Sequence, residues 1–170
     1  MRVLHNFHGN QGASLDSRLT FDSSGNLYGT AGDPNRRASD PDVGLVFELS
    51  PTSKGEWTET VIHVFSVGSN FGRDGEFPGG TLVVDGSGNV YGTAVNGGVG
   101  CSGFYCGVVY ELSPQGGGTW KETILHPFES AEDGSEPEEG LLLDGSGDLF
   151  GTTYHGGSRY GYGTVYEITP

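Results

Sequence analysis

The sequence predicts an all-β fold of the β-propeller class, built from three copies of a four-stranded antiparallel unit. Its first support is an internal repeat: one seven-residue segment occurs at residues 24–30, 87–93 and 146–152, at spacings of 63 and 59 residues. The second is the glycine content, 32 of 170 residues, placed between short apolar runs as tight turns require. The third is that no segment has the periodicity of an amphipathic helix.

Two further signatures keep the same order in every copy. A Val/Ile-Leu/Ile-His-x-Phe segment comes before the repeated segment, at residues 3–7, 61–65 and 124–128. A segment that begins with glycine and ends in Ser-Pro or Thr-Pro comes after it, at residues 44–51, 107–114 and 163–170. A period near 60 residues with hairpin turns is typical of propeller blades. The alternative, a parallel β-helix, usually has shorter repeats without hairpins.

The single domain, 1–170, therefore divides into a first repeat of about 3–56, a second of about 57–119 and a third of about 120–170. In each, a short apolar run predicts a first strand buried on both faces. A turn led by aspartate joins it to the second strand, and these aspartates (Asp22, Asp85 and Asp144) are interpreted as turn residues rather than calcium ligands. Proline stops the third strand. The fourth strand alternates apolar and polar residues, as in Trp57–Phe65.

The ends of the chain do not coincide with the ends of this four-stranded unit. Residues 3–7 resemble the end of a fourth strand, whereas the last copy stops after its third strand. We therefore expect the N-terminal strand to close the last blade, in cis or in trans. Two interpretations remain open: the chain is a piece of a longer array, or copies assemble, for example as a two-fold dimer with six blades.

Charge restricts the partners. The 22 acidic and 8 basic residues give a net charge of −14, which argues against nucleic acid and anionic membranes. No apolar run approaches the roughly 20 residues of a membrane span, so no membrane insertion is expected. The predicted partners are copies of the same chain, with carbohydrate as the alternative.

The three signatures together resemble the bacterial GloVer tandem repeat, over nearly the whole chain. The first copy departs from it at residues 32–37, where a Gly-Gly pair is missing. The resemblance implies a propeller-like array in "choice-of-anchor" secreted or surface proteins, and hence an extracellular or cell-surface location. It implies no established reaction and no cofactor.

Residues that occur in every copy are predicted to be structural, because a catalytic group rarely needs a copy in each blade. These are His5, His63, His126, Glu48, Glu111 and Glu167. Glu59 and Glu122, which occur in two copies, are predicted to be structural as well. The alternative is a ring of glutamates that binds cations in a channel. Neither a catalytic residue nor a metal site is assigned. A disulfide is predicted between Cys101 and Cys106, which fits an oxidising compartment, with free thiols as the alternative.

The loop 154–162 is the richest in groups that recognise ligands: Tyr154, His155, Arg159, Tyr160 and Tyr162. Tyrosine faces stack on sugar rings while arginine and histidine donate hydrogen bonds. The alternative is that these aromatics pack between blades. The acidic run at 132–139 is interpreted as a solvated loop.

These observations favour a non-enzymatic structural or adhesive module that assembles with itself. A carbohydrate-binding propeller is the alternative. A propeller hydrolase or lyase is less favoured, because the sequence offers no singular constellation of acid, base or metal ligands.

Overall fold

The strands form three separate antiparallel sheets in the computed structural model. It describes residues 1–8, 15, 17–32, 42–66, 73–99, 106–129, 132–157 and 161–170, and only the backbone of residues 42 and 43. Sheet 1 contains β1 (Thr20–Phe21), β2 (Leu27–Ala31), β3 (Asp42–Pro51) and β4 (Trp57–Ser66). Sheet 2 contains β5 (Glu76–Val84), β6 (Val90–Asn96), β7 (Val108–Gly116) and β8 (Thr119–Pro127). Sheet 3 contains β9 (Leu142–Leu143), β10 (Leu149–Thr153) and β11 (Thr164–Ile168).

Each sheet is a meander in which strands adjacent in the sequence are hydrogen-bonded to one another. The predicted all-β class is confirmed, and the described residues include no helix; accordingly none of them forms a long apolar helix able to cross a membrane. Each long fourth strand pairs with the third strand before it, so the sheets are offset from the sequence repeats. Sheet 1 therefore ends at Ser66 and sheet 2 at Pro127.

The turn between the first and second strands is held by an aspartate, as predicted. Asp85 Oδ1 accepts hydrogen bonds from the backbone N–H groups of Ser87 and Asn89, at 2.8 and 2.9 Å. Its Oδ2 accepts from the Asn89 amide at 2.9 Å and from the Tyr91 hydroxyl at 3.1 Å. Asp22 repeats this pattern, whereas Asp144 keeps only the two backbone bonds. The aspartate thus fixes both the turn and the start of the second strand.

The glycine of the repeated Tyr/Phe-Gly-Thr segment makes room for an aromatic ring of the third strand. A Cβ at Gly92 would lie 2.4 Å from the Tyr110 hydroxyl oxygen, and one at Gly151 would lie 2.3 Å from that of Tyr166. The same crowding occurs between Gly29 and Phe47. A side chain at this position would displace the ring, which explains why the three copies share the glycine.

Sheets are packed in series, face against face. We call the side of a sheet that is turned towards the preceding sheet its front face, and the opposite side its back face. The back face of sheet 1 and the front face of sheet 2 share one core: Tyr28, Val46, Ile62 and Phe65 with Leu82, Val90, Val108, Tyr110 and Leu112. The back face of sheet 2 and the front face of sheet 3 share another: Tyr91, Val109 and Phe128 with Leu141 and Leu149.

The glycine near the start of the third strand belongs to this packing. A Cβ on Gly44 would lie 2.5 Å from Pro78 of sheet 2, and one on Gly107 would lie 2.4 Å from Pro137 before sheet 3. Both glycines also have positive φ, 144° and 97°. The sequence signature therefore records a close approach between one sheet and the next.

The N-terminal segment, residues 1–8, does not form the predicted strand. It lies on the front face of sheet 1, where Phe7 joins the cluster around Phe47 with ring centroids 4.9 Å apart. A strand requires a hydrogen-bonding neighbour, and no described residue of this chain supplies one to residues 3–7. The last sheet therefore has three strands within the chain, and β11 is an edge strand.

The acidic run at 132–139 is only partly a solvated loop. Ser135 and Pro137 are buried, whereas Glu138 and Glu139 are exposed. The backbone of Ser135 bridges His155, and Pro137 packs against Gly107. The segment connects sheet 2 to sheet 3, so the interpretation as simple solvated charge is wrong for its middle part.

Candidate functional site: histidine and carboxylates between the sheets

Each repeated histidine lies where one sheet, or the N-terminal segment, meets the next sheet. Nε2 of His5 lies 2.8 Å from Oε2 of Glu59 in β4. Nε2 of His63 lies 3.4 Å from Oε1 of Glu122 in β8. Nε2 of His126 lies 3.1 Å from Oδ2 of Asp133. The three histidines also stack edge-on against the phenylalanine two residues later in the sequence.

At the boundary between sheets 1 and 2, a third residue completes a cluster. His63 comes from β4, Glu122 from β8, and Asp74 from the segment just before β5. One ligand atom from each of these residues lies within 4.8 Å of the other two. All three side chains are partly buried. We call these residues the central cluster.

Polar atoms of the central cluster lack hydrogen bonds. His63 Nε2, Asp74 Oδ1 and Glu122 Oε1 are buried, and none has a well-aligned hydrogen-bond partner among the described residues. The His63–Glu122 contact is close but misaligned, since it satisfies the distance of an ion pair without the angles of a hydrogen bond. Such buried atoms are expensive unless something satisfies them.

Burial also shifts their protonation. It lowers the pKa of His63 to about 4, so the imidazole is neutral near pH 7. It raises the pKa of Glu122 to about 8, and the neighbouring Asp74 charge adds to that increase. The pKa of Asp74 is raised as well, because burial outweighs its own backbone hydrogen bond. Two carboxyl groups thus share a site that disfavours ionising both.

Tyr110 adds a fourth polar group. The residue is wholly buried in β7, and its hydroxyl lacks a hydrogen-bond partner among the described residues. Burial raises its pKa, and the charge of Glu122 adds to that increase. The hydroxyl itself lies over Gly92 of β6. The boundary between sheets 1 and 2 therefore contains the central cluster and, over β6, a buried phenol.

The first boundary is a reduced version of this site. The Glu59 side chain is almost fully buried beside His5, and burial raises its pKa against the opposing effect of that histidine. Phe47 stands where sheet 2 has Tyr110, so the phenol is missing. By repeat spacing, Gln11 takes the place of Asp74, since each lies 11 residues before the turn aspartate of its copy; Gln11 is outside the described residues.

Sequence reasoning identified His63 and Glu122 as structural residues but missed Asp74. The available signal was the Asp-Gly pair at 74–75 and 133–134, which stands 11 residues before the turn aspartate in two copies. Asp133 does contact His126, but no described residue of the chain supplies a glutamate from a fourth strand of sheet 3.

The remaining repeated glutamates lie apart from this site. Glu48 Oε1 accepts a hydrogen bond from Ser50 at 2.6 Å, and Glu111 Oε1 accepts one from Ser113 at 3.0 Å. Glu167 is exposed on β11.

The predicted ligand loop is only partly described. Tyr154 and Tyr162 are exposed, Tyr162 to 87%. His155 is exposed and lies 3.5 Å from Oε2 of Glu136. Arg159 and Tyr160 lie outside the described residues, so the structure does not test the proposed set as a whole.

The predicted disulfide also stays a prediction. Cys106 is 3% exposed and lies just before β7. Cys101 lies outside the described residues.

One cleft opens between the sheets on the side of the first strands. Its volume is about 580 Å³, and its walls include Phe77, Pro78, Glu138 and Glu139. Phe77 has a φ of 59°, and Glu136, at the equivalent position before the next repeat, has a φ of 55°. Because two copies share this strained backbone, it belongs to the repeat and not to a singular active site.

The fold and these boundaries define a class: a tandem-repeat all-β protein whose sheets are joined by repeated histidine–carboxylate contacts. The chain matches the model of the Gloeobacter/Verrucomicrobia repeat family over residues 1–170, and it belongs to that family. The resemblance to the GloVer repeat is thereby confirmed. No curated protein matches the chain.

Proposed function

We propose that this protein is a non-enzymatic structural or adhesive repeat module that acts outside the cell or at its surface and assembles with copies of itself. In the proposed assembly, the three sheets are blades of a propeller. Support comes from the serial packing of three meander sheets and from membership of a repeat family.

The observation that carries the proposal is the placement of the N-terminal segment. Phe7 packs on Phe47 of sheet 1 as Phe65 of β4 packs on Tyr110 of sheet 2, with centroid distances of 4.9 and 5.1 Å. His5 likewise contacts Glu59 as His63 contacts Glu122. The segment therefore sits where the fourth strand of a preceding sheet belongs.

The back face of sheet 3 is open, whereas the front face of sheet 1 is covered except at its edge. Val46 and Val109 are fully buried in the back faces of sheets 1 and 2, whereas the equivalent Val165 of sheet 3 is 82% exposed. Leu142 of β9 lies on the same back face and is 72% exposed, although the sequence predicts that its strand is buried on both faces. At the other end, Leu27, Leu45 and Phe47 of the front face of sheet 1 are at most 5% exposed, and Phe7 of the N-terminal segment packs against them. At the edge of this face Leu19 is 52% exposed, although the equivalent Leu82 and Leu141 are buried.

The back face of sheet 3 and the front face of sheet 1 are thus the two halves of one interface that the chain already makes twice. A second copy is the occupant that fits both. Its N-terminal segment would add the missing fourth strand to β11, and its sheet 1 would cover Val165 and Leu142. Two copies joined head to tail in this way close a ring of six sheets, within the usual range of four to eight blades.

The native mass in solution, from light scattering after size exclusion, tests the proposal. We expect twice 17.9 kDa for the protein and 17.9 kDa for Val165→Asp, which puts a charge in the interface. The matched control is Gln115→Asp on the β7–β8 hairpin, which should keep the double mass. A wild-type chain that stays at 17.9 kDa at every concentration, or a Val165→Asp variant of unchanged mass, contradicts assembly.

A cell-surface or secreted location would be supported by the Cys101–Cys106 disulfide, because such bonds persist in oxidising compartments. Titration of thiols in the denatured, unreduced protein tests it. We expect no reactive thiol, and two reactive thiols would contradict the prediction.

Carbohydrate binding is the second candidate, favoured by the two exposed tyrosines beside sheet 3. An isolated bridge between Gly156 and Tyr162 brings the two ends of the loop together. In a glycan-panel experiment, we expect binding that Tyr162→Ala reduces at least about tenfold, because stacking on an aromatic platform is lost. The control Val99→Ala changes an exposed apolar residue elsewhere and should have no effect. Failure of the unaltered protein to bind any glycan would contradict this candidate.

A further inference from the structure

Among the described residues, the central cluster is the place where an imidazole and two carboxyl groups converge. We propose that His63, Asp74 and Glu122 bind a divalent transition-metal ion, with Zn²⁺ the best fit. The site joins sheets 1 and 2 of a single chain, so the proposal does not depend on assembly.

Ligand chemistry supports the choice of metal. Zinc takes imidazole nitrogen and carboxylate oxygen at about 2.0–2.2 Å, usually with tetrahedral geometry. Two ligands of such a site lie about 3.4 Å apart by that geometry, and the His63 Nε2–Glu122 Oε1 distance is 3.4 Å. The other separations, at most 4.8 Å, close with a small movement of the Asp74 side chain. Calcium fits poorly, since it requires six to eight oxygen ligands.

The second argument is the set of unsatisfied atoms. One nitrogen and two oxygens of the central cluster are buried without aligned hydrogen bonds among the described residues. A metal ion would accept electron pairs from all three atoms, and a water could take its fourth position.

Charge points the same way. No ion pair seen in the described residues brings a lysine or arginine to Asp74 or Glu122. The site disfavours ionising both carboxyl groups, and a divalent ion would supply the two positive charges that allow both to ionise.

The first boundary also leaves buried polar atoms without aligned hydrogen bonds, His5 Nε2 and both carboxylate oxygens of Glu59, but it offers fewer ligands. There the pair His5–Glu59 has no described second carboxylate, and Phe47 replaces the tyrosine. By sequence, the copy with glutamine in place of the aspartate also has phenylalanine in place of the tyrosine, so both polar groups are lost together.

The experiment titrates metal-free protein with Zn²⁺, following binding by calorimetry and by the shift in melting temperature. We expect one tight Zn²⁺ per chain and a rise in melting temperature that Mg²⁺ does not reproduce. The Asp74→Asn variant should bind Zn²⁺ at least about tenfold more weakly. Without metal the same variant should melt no lower than the unaltered protein, because it removes one of two competing buried carboxyls.

Two matched variants locate the ion. Glu59→Gln changes the first boundary and Asp133→Asn the third, and both should leave Zn²⁺ affinity unchanged. The proposal is overturned if Zn²⁺ leaves the melting temperature of the unaltered protein unchanged, in which case a water satisfies the site. It is equally overturned if Asp74→Asn binds as tightly as the unaltered protein, or if Asp133→Asn is the variant that loses the ion.

Discussion

The boundary between sheets 1 and 2 and the two ends of the sheet series use the same residue positions in opposite environments. At the boundary, Val46 and Leu82 are completely buried. At the ends, the equivalent Val165 and Leu19 are largely exposed. Because the repeated sequence is so similar, the difference reflects position in the series and not a change in the unit. A repeat of this kind has a surface designed for a neighbour on each side, and an end repeat has one such surface uncovered.

Removing a leucine side chain should give the largest difference in stability between the two environments. Leu82→Ala leaves a cavity between sheets 1 and 2 and should lower the free energy of unfolding by about 2–5 kcal/mol. Leu19→Ala, at the equivalent exposed position, should cost under about 1 kcal/mol in the monomeric chain. Both variants are made in the Val165→Asp protein, which we expect to be monomeric, and urea denaturation measures the free energy of unfolding of each. Equal costs at the two positions would contradict the comparison.

A smaller effect should come from the glycine beneath the third-strand ring. Gly92→Ala drives a methyl group into Tyr110 and should cost about 1–3 kcal/mol, measured as a lower midpoint of thermal unfolding. The control is Gly86→Ala in the turn of the same sheet, where a Cβ meets no atom within 4 Å. That variant should change stability by no more than about 0.5 kcal/mol. A Gly92→Ala protein as stable as the control would show that the ring does not depend on the glycine.

The smallest effect should distinguish two turns that look alike in sequence. Asp85→Ala removes four hydrogen bonds and should cost about 1–2 kcal/mol at pH 7, whereas Asp144→Ala removes two and should cost less. Stability curves in denaturant for the two variants side by side check this order. Equal losses would mean that the Asn89 and Tyr91 bonds add nothing.

The Asp85 effect should also depend on pH. Burial raises the pKa of Asp85, but hydrogen bonds from Asn89, Ser87 and Tyr91 outweigh it and hold the pKa below its usual value. Ionised Asp85 therefore stabilises the fold above the unfolded-state pKa of about 3.9, and this stabilisation is lost as the pH falls through the lower, folded-state pKa. The stability gap between the protein and Asp85→Ala should be full at pH 6 and narrow below about pH 4. A gap independent of pH would contradict the role of the charge.

Local signals were sufficient for most of the fold. The aspartate turns and the hairpins depend on neighbouring residues, and the alternation over Trp57–Phe65 correctly predicts β4. Residues 3–7 have the same pattern but form no strand, because a strand also needs a partner that this chain does not place beside them. Sequence reasoning could not find the central cluster, because Asp74 and Glu122 are far apart in sequence and meet only when sheet 2 packs on His63. The exposed Leu142 shows the same limit, since its apolar neighbours imply burial that only another sheet can supply.

The most direct test of the assembly is hydrogen exchange of the β11 backbone amides, compared between the intact protein and a variant without residues 1–8. If a second copy adds its N-terminal strand to this edge, the outward amides of Thr164–Ile168 exchange as slowly as those of β7 in the intact protein. In the shortened variant they exchange rapidly while β7 stays protected. Rapid exchange at β11 in the intact protein, or equal protection in both proteins, would contradict completion of sheet 3 by another copy.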